Sequence, residues 1–168
     1  MNFYLIGFMG SGKSYLGSIW AKQNNFTFCD LDTLIEKEEN DNIANIFSTN
    51  GENYFREKET KILKKTLKFE NTIIACGGGA PCFFDNIKWM NENGTTIFLN
   101  EGLGHIYYRL AKEKSKRPLI ANLTNDELMQ FVKEKTKERE PYYTQSKIIL
   151  THEHLNENGF SEILKSIK

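Results

Sequence analysis

The sequence predicts a three-layer α/β fold in which helices cover both faces of a mostly parallel sheet. Two observations support this prediction. Short β-rich runs alternate with longer amphipathic segments along the chain, as in repeated strand–helix–strand units. The first run also leads into a glycine-rich segment of the kind that joins a strand to a helix. The predicted strands are Phe3–Ile6, Phe26–Cys29, Thr72–Cys76, Thr95–Leu99 and Lys147–Leu150.

The segment after the first strand reads Gly-Phe-Met-Gly-Ser-Gly-Lys-Ser over residues 7–14 and matches every fixed position of G-x-x-x-x-G-K-[ST]. Its glycines let consecutive backbone N–H groups face one anion, and the helix starting near Lys13 adds its positive N-terminal end. Lys13 would reach the β- and γ-phosphates of a nucleotide, and the Ser14 hydroxyl would bind Mg²⁺. This segment is therefore predicted to be a phosphate-binding loop.

Two aspartates follow the second strand. Asp30 and Asp32 flank one leucine, and strand alternation would point both carboxylates the same way, at the carboxyl ends of the strands where open α/β sheets bind ligands. One carboxylate could serve Mg²⁺ and the other could orient or deprotonate a hydroxyl. Helix capping is the structural alternative. Because Thr33 and Glu36 already offer a capping box, we expect the aspartates to be free for chemistry.

Two helices and one loop are predicted in the remainder. Apolar spacing over Gly51–Phe69 suits a helix that buries one stripe. A capping box at Thr124 begins another helix, which runs toward Arg139 and is stopped by Pro141. Between them, residues 112–122 are polar and basic, and this stretch is a candidate lid.

Three glycines and three arginines, each considered alone, allow both a functional and a purely structural interpretation. Gly77–Gly79 end the third strand and would let a bound ring approach the backbone, although a flexible turn would look the same. Arg56 could grip a carboxylate or phosphate through two hydrogen bonds, or simply pair with Glu59 in solvent. Arg117 and Arg139 leave the same two interpretations open.

Composition limits the protein class. The 168 residues are 39% hydrophobic, which suits one domain spanning 1–168. The 22 basic residues balance 22 acidic ones, so no net field favours nucleic acid or an anionic membrane, and small-molecule ligands are expected. Without a signal-like or membrane-spanning segment, a cytoplasmic location is expected. Cys29, Cys76 and Cys82 lack disulfide or zinc spacing and are expected to be reduced and mostly buried.

Taken together, these motifs resemble the shikimate kinase family. The phosphate loop, the Asp-x-Asp pair, Phe55-Arg56, the triple glycine, Arg117-Pro118-Leu119 and Arg139 occur in the family's order over nearly the whole chain. The resemblance implies a fold of the nucleoside-monophosphate kinase type, with a five-stranded parallel sheet and a lid. It also implies transfer of the ATP γ-phosphoryl group to the 3-hydroxyl of shikimate, a step in chorismate and aromatic amino acid biosynthesis.

The resemblance also implies a role for each matched residue. Shikimate would be held by Asp32, Arg56, Gly78, Gly79 and Arg139; the nucleotide by Gly10, Ser11, Gly12, Lys13, Ser14, Tyr15 and Arg117; and Mg²⁺ by Ser14 and Asp30. Lys13, Asp32 and Arg117 would be the catalytic residues. Positioning and charge stabilisation dominate phosphoryl transfer, so Asp32 could act as a general base or only as a positioner.

The chain departs from the family pattern on the adenine side. Residues 151–156 do not form a basic, proline-bearing loop, and Arg109 is the only candidate to stack on the base. His152 and His154 alternate onto one strand face, where surface residues are a better interpretation than a metal site. His105 has no evident partner.

Other functions stay open at the level of sequence. A gluconate kinase would share the loop and a carboxylate-binding arginine but fits the Asp-x-Asp and triple glycine less well. A silent regulatory module would be expected to carry damage at Lys13, Asp30 or Arg117, which are intact. A GTPase would need an N-K-x-D segment, which is absent. A monomer is expected, because nothing indicates spare apolar surface.

Overall fold

The computed structural model describes residues 1–114, 117 and 119–167. Five strands form one parallel sheet in the order β2-β3-β1-β4-β5. Each predicted strand is confirmed to within one residue at either end. The strands are β1 Asn2–Ile6, β2 Thr27–Asp30, β3 Thr72–Ala75, β4 Thr95–Asn100 and β5 Ile148–Thr151.

Helices cover both faces of this sheet, so the three-layer prediction is confirmed. They are α1 Lys13–Gln23, α2 Leu31–Glu39, α3 Ile43–Lys65, α4 Asn86–Asn93, α5 Leu103–Glu113, α6 Asn125–Tyr143 and α7 Gly159–Ser166. Alternation along the central strand β1 divides the core in two. Tyr4 and Ile6 pack with α2 to α6, whereas Phe3 and Leu5 pack with α1 and α7.

The predicted helix over Gly51–Phe69 is only partly right. Helix α3 begins earlier, at Ile43, and a non-helical Gly51 with φ 82° divides it into two. The left-handed region costs glycine little, which explains why the break falls there. Regular helix ends at Lys65, and a 3₁₀ turn over Thr66–Lys68 completes the segment.

Two predictions about helix ends are wrong. Pro141 does not stop α6, which continues to Tyr143 with the proline inside its last turn. The cap of α2 is Asp30 and not the predicted capping box of Thr33 and Glu36: the helix begins at Leu31, and the Asp30 carboxylate accepts a hydrogen bond from the Asp32 N–H. The capping box at Thr124 is confirmed.

The predicted lid at 112–122 overlaps the end of α5, which includes Lys112. Ser115, Lys116 and Pro118 lie outside the described residues. Among the residues described, no helix has the length and apolar character needed to cross a membrane. The three cysteines are free thiols, with Cys76 buried and the other two half-buried.

Candidate active site

A cleft of about 650 Å³ lies at the carboxyl ends of the strands. The chain segments that leave β1, β2, β3 and β4 all contribute to its lining. This is the position where open α/β sheets bind ligands. Ten of the predicted site residues line the cleft: Gly10, Ser11, Gly12, Lys13, Ser14, Tyr15, Asp30, Asp32, Gly78 and Arg117.

The phosphate loop forms one wall of the cleft. Gly10 and Gly12 have φ values of 79° and 95°, a region that side chains disfavour, so glycine is needed at both positions. Lys13 folds back over the loop, and its ammonium donates to the carbonyls of Gly7 and Phe8 at 2.8 and 2.9 Å. Burial lowers the pKa of Lys13 to about 8, although the nearby Asp32 opposes this shift. The loop therefore holds a buried cation at its centre.

Ser14, at the end of the phosphate loop, and Asp30, at the end of β2, contact each other in the cleft. The Ser14 hydroxyl donates to Asp30 Oδ2 at 2.6 Å, while Asp30 Oδ1 accepts from the Asp32 N–H at 3.1 Å. Asp30 therefore caps α2 and faces the loop, so the expectation that it would be free of capping was wrong. Hydroxyl and carboxylate oxygens side by side are the hard donors that Mg²⁺ prefers, and these residues fit such an ion.

Asp32 lies in the first turn of α2 and not in the strand, so strand alternation does not explain its direction. It reaches the cleft because α2 begins directly after Asp30. Burial and the adjacent Asp30 carboxylate raise the pKa of Asp32, against the attraction of Lys13. Its carboxylate is therefore more basic than that of an exposed aspartate.

Beside the phosphate loop is a second group, which we call the arginine corner: Asp32, Arg56, Glu59, Gly77–Gly79 and Arg139. The triple glycine makes room for the side chains of this group. A Cβ added at Gly79 would lie 2.5 Å from Arg56 Nη2, and one at Gly77 would lie 2.8 Å from Glu59 Oε1. At Gly78 the nearest atom would be Arg139 Nη1, at 3.2 Å. A side chain at any of the three positions would displace a charged group of this corner, so the glycines do more than form a flexible turn.

Arg56 is buried, which excludes the interpretation as a solvated arginine. Its guanidinium pairs with Glu59 at 2.7 Å and with Glu52 at 3.2 Å, and it lies 4.5 Å from the centre of the Phe83 ring. Neighbouring rings and carboxylates fix the guanidinium plane, as recognition of a planar anion requires.

Arg139 approaches the same glycines from α6. Its guanidinium carbon lies 5.5 Å from the centre of the Phe8 ring, in the phosphate loop. One turn later, Tyr143 donates a hydrogen bond to the Gly78 carbonyl at 2.6 Å. Helix α6 therefore positions both Arg139 and the glycine strip against the phosphate loop.

Glu59 is a candidate site residue that sequence reasoning did not predict. It is completely buried, and its Oε1 atom has no hydrogen-bond partner within the described part of the chain. Burial raises the pKa of Glu59 to about 7, despite the opposing effect of Arg56. The only signal in the sequence is its position three residues after Arg56, which equally suits a surface ion pair.

Among the residues described, three cations border the cleft on the side of the predicted lid: Arg109, Lys112 and Arg117. Arg117 pairs with Glu113 at 3.0 Å. Arg109 donates to the Gly10 carbonyl at 2.9 Å and pairs with Glu101 at the same distance. Arg109, considered as a base-stacking candidate, thus also braces the phosphate loop.

The histidines differ from expectation. His152 and His154 lie in a 3₁₀ turn after β5 and not on a strand face. His105 does have a partner, because both His105 and His152 contact the Glu101 carboxylate. Burial raises the pKa of this carboxyl, but hydrogen bonds from the Gly102 N–H and the two imidazoles outweigh burial and lower it overall.

Comparison with known proteins places this geometry in a family. Residues 9–168 match the family model described as shikimate kinase. A shikimate kinase from Phocaeicola vulgatus is 39% identical over 154 residues, which is 92% of this chain and 88% of that protein.

Solved structures agree with this match. The crystal structure of shikimate kinase from Bacteroides thetaiotaomicron superposes with a TM-score of 0.93 and 36% identity, covering 99% of this chain and 98% of the other. Shikimate kinase from Acinetobacter baumannii, in complex with shikimate, gives 0.86 and 28%, covering 99% and 92%. The five-stranded fold implied by the sequence motifs is therefore confirmed.

Proposed function

This chain belongs to the shikimate kinase family, and we propose on that premise that it transfers the γ-phosphoryl group of ATP to the 3-hydroxyl of shikimate. One observation carries the proposal. The arginine corner, with two guanidinium groups and two carboxyl groups around a strip of glycines, adjoins a phosphate loop at one end of the sheet. A phosphoryl donor and a carboxylate-bearing polyol would then be held next to each other.

On the donor side, we propose that ATP binds to the backbone of Gly10, Ser11, Gly12, Lys13, Ser14 and Tyr15. In the structure Lys13 donates to two loop carbonyls, and the phosphates would offer it stronger acceptors. Ser14 and Asp30 would hold Mg²⁺, which supplies charge neutralisation at the phosphates when bound. The support for this assignment is the pair of oxygen atoms 2.6 Å apart in the cleft.

On the acceptor side, we propose that Arg56 and Arg139 bind the shikimate carboxylate while Gly78 and Gly79 line the ring. Arg56 is already oriented by Glu59 and Phe83, so little rotamer entropy would be lost on binding. Glu59 joins the predicted set, since its free Oε1 atom faces Gly77 and Asp32. It would accept from, or donate to, a substrate hydroxyl.

Asp32 would contact the hydroxyl that attacks. Its pKa is raised by burial, which makes it a better proton acceptor, but a loose transition state needs little deprotonation. The pH profile of Asp32→Asn separates the two roles. Loss of the acidic limb of the kcat profile would indicate a general base, and a lower plateau with the same limb would indicate a positioner.

Arg117 would stabilise the charge that develops on the transferred group. It lines the same cleft as the phosphate loop, from the segment after α5. Movement of residues 112–122 over the bound substrates would exclude water, which otherwise competes as phosphoryl acceptor. We also propose a single domain, in keeping with the length of the chain, and a monomer in a cytoplasmic location.

The test is ADP formation with Mg²⁺ and ATP in the presence of shikimate, gluconate or no acceptor. Turnover with shikimate alone is the expected result. Turnover with gluconate would favour the alternative kinase, which has less support because the relatives compared above are shikimate kinases. ATP binding without turnover on any acceptor would contradict an enzymatic function.

A further inference from the structure

Outside the proposed reaction, three side chains from two parts of the chain converge on one point. Glu101 follows β4, His105 lies on α5, and His152 follows β5. Glu101 Oε1 lies 3.1 Å from His105 Nδ1 and 2.6 Å from His152 Nδ1. The two imidazole rings stack with their centres 4.1 Å apart. Two of the three histidines in the chain therefore meet at one carboxylate.

Hydrogen bonding alone accounts poorly for this arrangement. Glu101 Oε1 also accepts from the Gly102 N–H at 2.9 Å, so three nitrogen donors compete for one oxygen with two lone pairs. The carboxylate is 1% exposed, whereas each imidazole is 55% exposed and could be solvated elsewhere. If both imidazole Nδ1 atoms and Oε1 bound one cation, the two imidazoles would no longer compete with the Gly102 N–H as hydrogen-bond donors to that oxygen.

The spacing is close to that of a metal site. The three ligand atoms lie within 4.8 Å of one another, and tetrahedral bonds of about 2.0–2.2 Å separate neighbouring ligands by about 3.3 Å. To reach that separation, the Nδ1–Oε1 distance would have to lengthen by about 0.2 Å at His105 and by about 0.7 Å at His152. Such movements are available to exposed imidazoles at the end of a sheet.

The surroundings meet the other requirements of a metal site. Arg109 Nη2 pairs with the second carboxylate oxygen, Glu101 Oε2, at 2.9 Å and fixes the orientation of the carboxylate. The exposed side of the two rings leaves an entry path and room for a water ligand. Two imidazole nitrogens and one carboxylate oxygen suit Zn²⁺ or a similar divalent transition metal better than Mg²⁺, which prefers oxygen ligands.

We propose that Glu101, His105 and His152 form a binding site for a divalent transition metal such as Zn²⁺, distinct from the proposed Mg²⁺ position at Ser14 and Asp30. Each protein ligand would supply one atom, and water would complete the coordination shell. The site would lie beside Arg109, at the rim of the nucleotide cleft.

The experiment is a calorimetric titration of the tag-free protein with Zn²⁺, without nucleotide and with excess Mg²⁺ to occupy oxygen-only sites. His105→Gln and His152→Gln are compared with His154→Gln, which lies in the same 3₁₀ turn but contacts Thr151. We expect one equivalent of Zn²⁺ to bind wild type and His154→Gln alike. Each cluster variant should bind Zn²⁺ at least tenfold more weakly. Loss of a residue that only orients a metal ligand already costs about tenfold in affinity, and loss of the ligand itself should cost at least as much.

A second readout on wild type covers the possibility that a substitution disturbs the local fold. Long-range ¹H–¹⁵N spectra should show Zn²⁺ shifting the Nδ1 resonances of two histidines while the third stays unchanged. No saturable Zn²⁺ binding, binding retained in both cluster variants, or loss of binding in His154→Gln would each overturn the proposal.

Discussion

The phosphate loop and the arginine corner adjoin each other, yet the chain builds them in opposite ways. The loop comes from eight consecutive residues and presents backbone N–H groups at positive-φ glycines. The corner draws on α2, α3, the segment after β3 and α6, and it presents side chains through the space left by three glycines. A backbone site is therefore encoded locally, whereas a side-chain site depends on the packing of distant elements.

The two regions also handle buried charge differently. The loop holds one buried cation whose pKa is lowered to about 8. The corner holds a buried carboxyl whose pKa is raised to about 7, paired with a buried guanidinium. Removing Lys13 takes away a buried charge and should leave the stability of the fold unchanged. Removing Arg56 leaves the buried Glu59 carboxyl without its ion-pair partner and should lower that stability. Variants in the two regions should therefore fail in different ways.

The largest effect on turnover should follow Lys13→Ala. The loop would keep its glycines but lose the cation that we propose stabilises charge on the transferred group, so kcat should fall roughly 100- to 1,000-fold. The melting temperature should stay close to that of wild type. Steady-state kinetics and thermal unfolding measure both, with the exposed Lys22→Ala on the same helix as the control. A kcat within threefold of wild type would contradict the role given to Lys13.

Arg56→Ala should mainly affect shikimate and stability. Losing a charge-assisted contact worth about 1.5–3 kcal/mol should raise the KM for shikimate roughly 10- to 100-fold. Without Arg56 the pKa of Glu59 should rise further, so the carboxyl takes up a proton, and the unsatisfied buried group should lower the free energy of unfolding by about 1–3 kcal/mol. Lys64→Ala, an exposed cation on the same helix, is the control for kinetics and urea unfolding. A normal KM for shikimate would remove Arg56 from the acceptor site.

Gly79→Ala should displace Arg56 without removing its charge. The added Cβ would lie 2.5 to 2.7 Å from the guanidinium, and since that group ends a flexible side chain, it should shift while the fold survives. We expect roughly a tenfold loss in kcat/KM for shikimate, since misplacement by about 1 Å can cost more, with the KM for ATP little changed. Gly104→Ala is the matched control, because its Cβ would meet nothing within 4 Å. Equal kinetics in the two variants would refute the packing argument.

Glu59 should affect stability in a pH-dependent way, without a matching change in turnover. Its pKa rises from an ordinary 4.5 to about 7 on folding, so over that range the native protein holds a proton that the unfolded chain releases. The stabilising contribution is therefore complete below about pH 4.5 and is lost as the pH rises through 7.

Urea unfolding of wild type and Glu59→Gln at pH 5 and pH 7 tests this sign. The free energy of unfolding of wild type should fall more between the two pH values than that of the glutamine variant, by on the order of 1–3 kcal/mol. An equal change in both proteins, or a wild type that gains more stability at pH 7, would contradict the raised pKa.

Sequence reasoning predicted the parts of this molecule that depend on local pattern. Strand periodicity gave all five strands, and the loop motif placed Lys13 and Ser14 at the cleft. Features that depend on packing between distant elements could not be predicted from local pattern. Nothing in the sequence distinguishes a buried Arg56–Glu59 pair from an exposed one, because both have the same spacing in a helix.

Competition between capping signals explains another error. Thr33 with Glu36 and Asp30 alone both fit a helix start, but α2 begins at Leu31, and the Glu36 carboxylate instead accepts from the Ile43 N–H. The Glu101–His105–His152 cluster was missed for a different reason. Glu101 and His105 are only four residues apart, but His152 joins them only because β4 and β5 pair.

Shikimate binding in the absence of nucleotide tests most directly whether the arginine corner is an acceptor site independent of the phosphate loop. Calorimetric titration of wild type, Lys13→Ala and Arg56→Ala with shikimate is the measurement. We predict wild-type affinity in Lys13→Ala and a loss of roughly tenfold or more in Arg56→Ala, whose charge-assisted contact is removed. Wild-type affinity in Arg56→Ala, or equal losses in both variants, would contradict the division of the site into these two regions.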